Sequence, residues 1–527
     1  MKIPVKLRNA LFLCALLTAG FALRAYNLGF PSIGYHNMLE NEYLGMAHEM
    51  ERSGDYLTKR VYFDGSFGMG TGVHADKRPP LVSYQTLLAW RIFGENVWAP
   101  RLFNVIFGVA SIFIIYLMGC ILFDDRRAAL FSAAVLAMAP LAVFFSRNLQ
   151  PESPALFFML LGSLFYLRFI SKHKRSNLFL GGLSFLAAFF YRQNFIAGIL
   201  PLVFLFPLAA KDGERKNTTA YAFSLLLPFA LALLFSLQDF SIKRLFDIYT
   251  AAYWKGYGRV IWAYMVTENF TGVLSAAAFL GMLFAFFKRR ALVDRYIIGW
   301  TLAATPYAMI YAVPLSENNF YQMPFLALVC ISSAYAVSRA SDMVKTVIKK
   351  DIILILMLIV VSSASAFAYD SLMRMHSTVF MGADVAGESL KGFTKPDERV
   401  FLLTHAQGRC IARYARRYAG WTNNIDDFKE KEKGFNKNYI CIYPLEFVQM
   451  LKMKSPKVFE YIRKNYHIKE AGLTEEPRRF FYLILEKGGL PDGEDFSKPI
   501  SGNMRLKTIY KLSGRYAFFY IVRRGGA

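Results

Sequence analysis

The sequence predicts a polytopic α-helical membrane protein with a C-terminal extracytoplasmic α/β domain. Three observations support this fold class. The 527 residues are 55% hydrophobic and only 19% charged, which is too apolar for an ordinary soluble protein of this size. The apolar residues are clustered in runs of the length that crosses a bilayer, about 18 residues or more. From about residue 380, short apolar runs alternate with helical patterns.

We predict about eleven transmembrane helices, with residues 81–95 forming a helix that lies along the membrane surface. The predicted spans are 8–28, 98–122, 128–146, 153–170, 177–190, 194–210, 218–237, 270–287, 293–313, 321–338 and 350–369. The first span has a basic start like that of a signal peptide. We interpret it as uncleaved, because Arg24 follows directly without a small-residue cleavage site.

The basic residues predict the orientation of these spans. Placing the N-terminus in the cytoplasm puts every strongly basic short gap on the cytoplasmic side, as the positive-inside rule requires. The gaps are 123–127, 171–176, 211–217, 288–292 and 339–349. The net charge of +24 is therefore explained by the membrane and its anionic lipids, and nucleic acid is not an expected partner. Residues 29–97, the segment 238–269 and everything after about 370 then face outward, together with the short stretches 147–152, 191–193 and 314–320.

The chain is expected to divide into a transmembrane domain over residues 1–375, including the outward loop 29–97, and an extracytoplasmic α/β domain over 380–527. Runs such as "RVFLLTH", "YICIYP", "RFFYLILE" and "YAFFYIV" are typical of strands. The segments "GRCIARYARRYAG" and "SPKVFEYIRKNY" are typical of helices. The five cysteines have no metal-ligand spacing, although Cys410 and Cys441 could pair outside the membrane.

The first outward loop carries an acidic helix directly after the first span. The stretch "MLENEYLGMAHEMERSG" has no early helix breaker and stops at Ser53-Gly54. It contains the candidate catalytic residues Glu40 and Glu42, and His36 and Tyr43 are candidate substrate contacts. The alternative is that both glutamates are ordinary wet surface acids.

Four further outward stretches carry polar residues, and three of them have a structural alternative. For Arg192 this alternative is a position at the tip of a hairpin. The segment "HADKRPPLVSY" offers Lys77 and Arg78 for a phosphate, or else they anchor a helix starting at Leu81 to lipid headgroups. The turn "SRNLQPES" offers Arg147 and Glu152, although helix capping alone could explain Glu152. The remaining candidates interrupt apolar stretches or crowd one turn. They are Arg192 and Gln193 in "YRQN", and Asn318, Asn319 and Tyr321 in "ENNFYQ".

Acids with arginine and lysine beside a lipid surface suit a substrate with a phosphate head and an apolar tail. A carboxylate could take a proton from an acceptor hydroxyl while an arginine or a metal stabilises the departing phosphate. The carboxylates of Glu40 and Glu152 could instead hold a divalent metal ion. No other cofactor is expected.

In these stretches the sequence resembles the GT-C superfamily of polyprenyl-phosphate-sugar-dependent glycosyltransferases, in particular the protein O-mannosyltransferase and lipid A aminoarabinose transferase group. The resemblance covers about residues 10–340 and includes "KRPPL", "FGENVWAPRLFNVIFG", "LAMAPLAVFFSRNLQPES", "YRQN" and "NNFYQMPF" in the same order. Many relatives have Asp-Glu where this chain has Leu39-Glu40, and some have His at the position of Asn318.

The resemblance implies a membrane glycosyltransferase of the cytoplasmic (inner) membrane, with its active site on the extracytoplasmic face. The donor would be a polyprenyl-phosphate-linked sugar, and the acceptor a lipid, a glycan or a protein. The resemblance assigns the acceptor-side base to Glu40 or Glu42, the second acid to Glu152, and the donor phosphate to Arg78 and Arg192. The alternative is a transporter or flippase of lipid-linked saccharides, which usually keeps its polar residues at mid-membrane.

Overall fold

The structure is a computed structural model of the chain. It describes residues 5–63, 79–206, 215–236, 251–288, 291–349, 351–404, 407–434, 439–475, 478–488, 494–496, 500, 502–512 and 514–524. The chain forms two compact units. The helical unit comprises residues 1–28 and 101–373, and the sheet unit comprises residues 29–100 and 374–527.

The helical unit is built from apolar α-helices with short irregular connections. Two 3-10 helices, Gln193–Ile199 and Asn319–Phe325, and one π-helix, Met265–Asn269, interrupt the α-helices. The α-helices are Val5–Ala25, Trp98–Leu122, Arg126–Met138, Pro140–Arg147, Glu152–Lys172, Ser176–Tyr191, Leu200–Val203, Arg215–Ser236, Ala251–Tyr264, Thr271–Lys288, Leu292–Ile310, Ala312–Glu317, Leu326–Ile348 and Ile353–Ser377.

Within the described residues, six helices are long and apolar enough to cross a membrane, or seven if one bent pair forms a single span. This finding confirms a polytopic helical protein, but it does not confirm the predicted count of eleven. Three predicted spans correspond to shorter apolar helices, and these are Ser176–Tyr191, Gln193–Val203 and Thr218–Leu231. The predicted span 293–313 is the helix Leu292–Ile310, whose first turn carries Asp294 and Arg295.

The bent pair of helices shows how the backbone carbonyls at a break within a predicted span receive hydrogen bonds. The helices Arg126–Met138 and Pro140–Arg147 meet at an angle of 55°. Pro140 has no backbone N–H, so it cannot donate to the carbonyl of Leu136. The buried guanidinium of Arg24 supplies that bond at 2.9 Å, and donates to Ala137 O at 3.0 Å. Arg24 is therefore part of the packing of the first helix, which the sequence analysis did not anticipate.

The sheet unit is an α/β structure, as predicted for the C-terminal part. Its described residues form seven strands, which are β1 (Val400–Leu403), β2 (Ala419–Gly420), β3 (Tyr439–Ile442), β4 (Tyr466–Glu475), β5 (Arg478–Lys487), β6 (Met504–Leu512) and β7 (Arg515–Arg523). Its helices are Asn37–Ser53, Leu81–Phe93, Ala383–Phe393, Gly408–Ala415, Ile425–Gly434, Phe447–Lys454 and Pro456–Asn465.

The strands form one mixed sheet in the order β2-β1-β3-β5-β4-β7-β6. The strand β1 pairs in parallel with β2 and β3, and the remaining neighbours are antiparallel. Side chains along a strand alternate between the two faces. Accordingly, Val400 and Leu402 contribute to one hydrophobic core, whereas Phe401 and Leu403 contribute to the other.

The first outward loop shares one of these cores. Phe30, Ile33 and Tyr62 are buried in the same cluster as Val400, Leu402 and residues of the helix Gly408–Ala415. The sequence analysis instead placed residues 29–97 with the transmembrane helices. The apolar side chains of a loop do not show in the sequence which other segment buries them. For this reason the sequence grouped the loop with the transmembrane helices, whereas the structure groups it with the sheet. The division at residues 375 and 380 stays a prediction.

All five cysteines lie in described parts of the chain, and all five are free thiols. Cys410 and Cys441 are both buried in the core that contains the outward loop. The disulfide that the sequence left open is therefore not formed. Each thiol packs there as a small apolar side chain.

Candidate active site

The predicted acidic helix is confirmed as Asn37–Ser53. His36 precedes it in a left-handed conformation (φ 55°), and Gly54 ends it with φ 69°, a conformation that glycine adopts without strain. Glu40 lies in the first turn, where the helix dipole favours negative charge. Glu40 is 3% exposed and Glu42 is 5% exposed, so neither is the wet surface acid of the alternative interpretation.

The carboxylate of Glu42 forms an ion pair with Arg409. The Oε2 atom of Glu42 lies 2.6 Å from Nε of Arg409, at the start of the helix Gly408–Ala415. This contact joins the acidic helix to the helix Gly408–Ala415. The assignment of the base to Glu40, with Glu42 as its alternative, stays a prediction.

A polar network connects the acidic helix with the same neighbouring helix. Asn41 accepts a hydrogen bond from Nε of Arg413 at 3.0 Å and donates to Ser32 O at 2.7 Å. Asn37 donates to Oε1 of Gln407 at 2.9 Å. Burial lowers the pKa of Arg413, but its interactions with Tyr414 and Cys410, and to a smaller extent with Glu40, outweigh this and raise it. The charge of Glu40 thus acts on Arg413.

The other two predicted contacts of this loop have local roles. The ring of His36 lies 4.1 Å from the ring of Tyr35, measured between centroids. The backbone carbonyl of Tyr43 accepts a hydrogen bond from Ser83 at 3.1 Å, which connects this helix with the predicted helix at Leu81.

In the helical unit, Glu152 and Arg192 form a buried ion pair. Glu152 begins the helix Glu152–Lys172 directly after Pro151, and it is 1% exposed. Arg192 ends the helix Ser176–Tyr191 in an extended conformation. The Nε atom of Arg192 lies 3.3 Å from Oε1 of Glu152. Two residues that are 40 positions apart, each predicted separately, therefore form one site.

Two aromatic rings complete the environment of Arg192. Its Cζ atom lies 5.2 Å from the ring centroid of Phe320 and 4.9 Å from that of Tyr321. A guanidinium at such distances is attracted by the aromatic quadrupole. The backbone of Tyr321 is fixed by Tyr307, whose hydroxyl donates to Tyr321 O at 2.6 Å. Arg192 is consequently held by an acid on one side and by aromatic rings on the other.

The neighbouring predicted residues belong to a buried hydrogen-bond network. Asn319 donates to Oε2 of Glu268 at 3.0 Å, and Asn269 donates to Oε1 of Gln322 at 2.9 Å. Asn318 is the extended residue between the helix Ala312–Glu317 and the 3-10 helix. Gln193 is the first residue of the other 3-10 helix, directly after Arg192.

Arg147 donates hydrogen bonds to two backbone carbonyl oxygens. Its Nε donates to Tyr26 O and its Nη2 donates to Asn27 O, both at 2.8 Å. These bonds connect the end of the helix Pro140–Arg147 with the residues that follow the first helix. Lys77 and Arg78, the remaining predicted phosphate ligands, lie outside the described residues.

Sequence reasoning missed the partners of the predicted acids. Arg409 and Arg413 lie four residues apart in "GRCIARYARRYAG", so they share one face of a helix. That spacing was a readable signal, but nothing in it indicates that the acidic helix is the neighbour. Phe320 and Glu268 were also missed, because aromatic residues and single acids are common in an apolar chain.

The described residues add no third ligand to Glu40 and Glu152, the pair predicted to hold a metal ion. The described residues contain no group of three or more His, Cys, Asp or Glu side chains that could hold a metal ion. In addition, the charge of Glu152 is paired with Arg192. The possible metal ion stays a prediction, and no step below is assigned to it.

Comparison with known proteins agrees with the sequence resemblance. Residues 77–237 match a family model described as dolichyl-phosphate-mannose-protein mannosyltransferase. This segment contains both Glu152 and Arg192. The protein named "Putative mannosyltransferase YycA" of Bacillus subtilis (strain 168) is 31% identical over 173 residues, which is 33% of this chain and 25% of that protein. The chain covers 28%, 25% and 22% of the three curated relatives that it matches.

Two solved structures share the fold over most of the chain. The oligosaccharyltransferase of Archaeoglobus fulgidus, in complex with Zn and sulfate, is 15% identical with a TM-score of 0.57, covering 93% of this chain and 74% of that one. ArnT from Cupriavidus metallidurans, bound to undecaprenyl phosphate, is 13% identical with a TM-score of 0.51, covering 92% and 98%.

The resemblance to the GT-C superfamily is confirmed for the fold and for the segment 77–237. The prediction of a membrane enzyme of the GT-C type agrees with both findings. Neither the family model nor the two solved relatives is described as a transporter.

Proposed function

We propose that this protein is a membrane glycosyltransferase that moves a sugar from a polyprenyl-phosphate-linked donor to a lipid, glycan or protein acceptor. The observation that carries the proposal is the buried Glu152–Arg192 pair, which lies inside the segment that matches the mannosyltransferase family. The family description favours mannose as the sugar. The structure of ArnT with undecaprenyl phosphate supports a polyprenyl phosphate as the lipid.

Arg192 holds the phosphate of the donor in this proposal. A guanidinium binds phosphate oxygens through its planar fork and keeps its charge at any physiological pH. Glu152 and the rings of Phe320 and Tyr321 fix the direction of that guanidinium. Glu152 is then a positioning residue for Arg192.

Glu40 is the proposed base. Its carboxylate accepts the proton of an acceptor hydroxyl as the hydroxyl oxygen forms a bond to the anomeric carbon of the donor sugar. The bond between that carbon and the phosphate oxygen breaks, and the electron pair leaves on the phosphate. Arg192 stabilises the negative charge that develops there. The products are the glycosylated acceptor and polyprenyl phosphate, and Glu40 releases the proton to water or to the phosphate, which restores the carboxylate.

We infer from the basic gaps that this chemistry takes place on the extracytoplasmic face of the cytoplasmic membrane. Membrane lipids then surround the helices, and the acceptor is a molecule that reaches the extracytoplasmic face. Arg78 and Lys77 remain proposed as further ligands of the donor phosphate.

The test is transfer from labelled polyprenyl-phosphate-mannose by the full chain in detergent, with envelope lipids and glycans as acceptors. Arg192→Lys keeps the charge but removes the planar fork, so we expect roughly a hundredfold loss of transfer. Glu152→Gln should raise KM for the donor, since Arg192 loses its orientation. The matched control is Arg175→Lys, a change at an exposed arginine outside the site, which should leave transfer unchanged.

Transfer in detergent requires no second compartment, so a positive result separates an enzyme from a transporter or flippase. Transfer at the normal rate by Arg192→Lys would contradict the role of Arg192. If the chain instead moved lipid-linked sugar across vesicle membranes without transferring it, the enzyme proposal would fail.

A further inference from the structure

The sheet unit contains a cavity of about 200 Å³ that none of the assignments above uses. One wall is the acidic helix Asn37–Ser53, and others are the helices Leu81–Phe93, Ala383–Phe393 and Gly408–Ala415. The lining residues are Leu44, His48, Trp90, Glu95, Glu388, Lys391, Arg413, Tyr414 and Arg416. Leu44 and His48 lie one and two helical turns beyond Glu40.

The charged side chains that line the cavity do not all have ion-pair partners of their own among the lining residues. Glu95 forms an ion pair with Arg416, and Glu388 lies 3.8 Å from Lys507, which is outside the cavity. Within the described residues, neither lining acid forms an ion pair with Lys391 or Arg413. Glu95 is therefore paired within the cavity lining and Glu388 outside it. Lys391 and Arg413 are the lining cations that neither of these acids pairs with, although Arg413 also senses the charge of Glu40.

Arg413 is held in place but incompletely bonded. Its Nε donates to Asn41, and its Cζ atom lies 3.8 Å from the ring centroid of Tyr414. Its Nη2 nitrogen is buried and has no hydrogen-bond partner among the described residues. A buried donor of a charged group that lacks a partner destabilises the folded protein. An acceptor oxygen bound in the cavity would remove this destabilisation.

The rest of the cavity limits the size and character of a ligand. Trp90 forms part of the wall, and its indole N–H already donates to Asn96 O at 2.7 Å. The ring therefore offers apolar surface rather than a further donor. At about 30 Å³ for each water, the volume holds roughly six or seven waters. The cavity is partly open to solvent, and its volume admits a phosphate or a single sugar ring.

We propose that this cavity binds an oxyanion, either free phosphate or the carboxylate of one acidic sugar unit, through Arg413 and Lys391. Guanidinium and ammonium groups together are the usual partners of such groups in proteins. The site is distinct from the Glu152–Arg192 pair, and its occupation does not depend on the proposed transfer reaction.

The test is calorimetric titration of the full chain in detergent with three probes, namely inorganic phosphate, glucuronate and glucose. Saturable binding of phosphate or glucuronate, with no binding of neutral glucose, is the expected result, and the tighter of the two anions identifies the source. Lys391→Ala should weaken that binding about fivefold. Arg413→Lys should weaken it roughly tenfold or more, because the planar fork is lost.

Two features keep the test decisive if Arg413→Lys fails to fold. Lys391 has an exposed side chain, so Lys391→Ala should leave the fold intact. The matched control is Lys457→Ala, which removes an exposed lysine from another helix of the same unit and should leave binding unchanged. Equal affinities of Lys391→Ala and the wild type, or no saturable binding of either anion, would overturn the proposal. Neither result would bear on sugar transfer, which is measured separately.

Discussion

At the level of single residues, two glutamates in one helix have different surroundings. Glu40 and Glu42 are both buried, but Glu42 lies 2.6 Å from the guanidinium of Arg409. A carboxylate in such a pair mainly supports the packing of two helices, because its charge is already compensated. We therefore expect catalysis and stability to separate between these two positions.

Exchanging each glutamate for glutamine tests this separation. Glu40→Gln should lower kcat for transfer by about 10²–10⁴, the usual contribution of one base, with little change in Tm. Glu42→Gln should lower Tm and leave transfer within about tenfold, because it removes a pair and no base. Transfer rates and thermal melts in detergent measure both effects.

A double-mutant cycle with Arg409→Gln provides the control. The losses in Tm should not add if Glu42 and Arg409 act as a pair. The reverse pattern, with transfer lost in Glu42→Gln and kept in Glu40→Gln, would exchange the two roles.

Asp384 illustrates a buried acid that serves the fold of the sheet unit. Burial raises the pKa of Asp384 from 3.8 to about 6, although the hydroxyl of Tyr510 donates to it at 2.5 Å. The folded protein therefore holds this proton more tightly than the unfolded chain. The associated stability is fully present below about pH 4 and is lost as the pH rises through about 6.

Asp384→Asn should remove this pH dependence. The amide oxygen can still accept the bond from Tyr510, but it never acquires a charge. The shift of the pKa corresponds to about 3 kcal/mol, so the variant should be more stable than the wild type above pH 7 by up to that order. Thermal melts between pH 4 and 8 measure the effect. Parallel pH profiles for the two proteins would show that Asp384 does not titrate in this range.

At the level of secondary-structure elements, the helices Thr271–Lys288 and Leu326–Ile348 pack backbone against backbone. A Cβ atom at Gly281 would overlap the backbone carbonyl of Ser332, and Ser333 donates to Leu274 O at 3.3 Å. Small residues allow such close approach between helices in a membrane, where no hydrophobic effect drives them together.

Gly281→Ala should therefore destabilise the helical unit by about 1–3 kcal/mol, as an overpacked core does. The matched control is Gly272→Ala, at the start of the same helix, where an added Cβ meets nothing within 4 Å. Melting in detergent should show a lower Tm only for Gly281→Ala. Equal melting temperatures would mean that these two helices can move apart at no cost.

The elements themselves were partly readable from the sequence. The helix Asn37–Ser53 with its stop at Gly54, the helix starting at Leu81, and β1, β3, β5 and β7 were all predicted. The strands β4 and β6 were missed, because their polar residues obscure the apolar alternation. The short strand β2 was missed too, because it follows closely on the helix Gly408–Ala415 within a segment predicted as helical throughout. The break at Pro140 was missed as well, since an apolar run continues through it and only Arg24 reveals how it is satisfied.

At the level of the whole molecule, the basic gaps predict one orientation in the membrane. Every short gap rich in lysine and arginine is assigned to the cytoplasm, which places the sheet unit outside.

Labelling with a membrane-impermeant maleimide tests the orientation. In intact cells or right-side-out vesicles, Lys457→Cys should react from outside, because Lys457 is exposed in the sheet unit. Arg175→Cys should react only after the membrane is made permeable. The wild type, with its five native thiols, gives the background. Labelling of both variants from the same side would refute the predicted topology.

The amino-acid sequence alone determined that this is a helical membrane protein with an α/β C-terminal part, and it named Glu40, Glu42, Glu152 and Arg192. Length and apolarity of a run, alternation along a strand and polar residues within apolar surroundings are local properties, and a sequence displays them directly. The tertiary structure alone decided the partners: Arg192 for Glu152, Arg409 for Glu42, and a core shared by the outward loop and β1. Partners are decided by packing between distant segments, and no local pattern specifies which segments will meet.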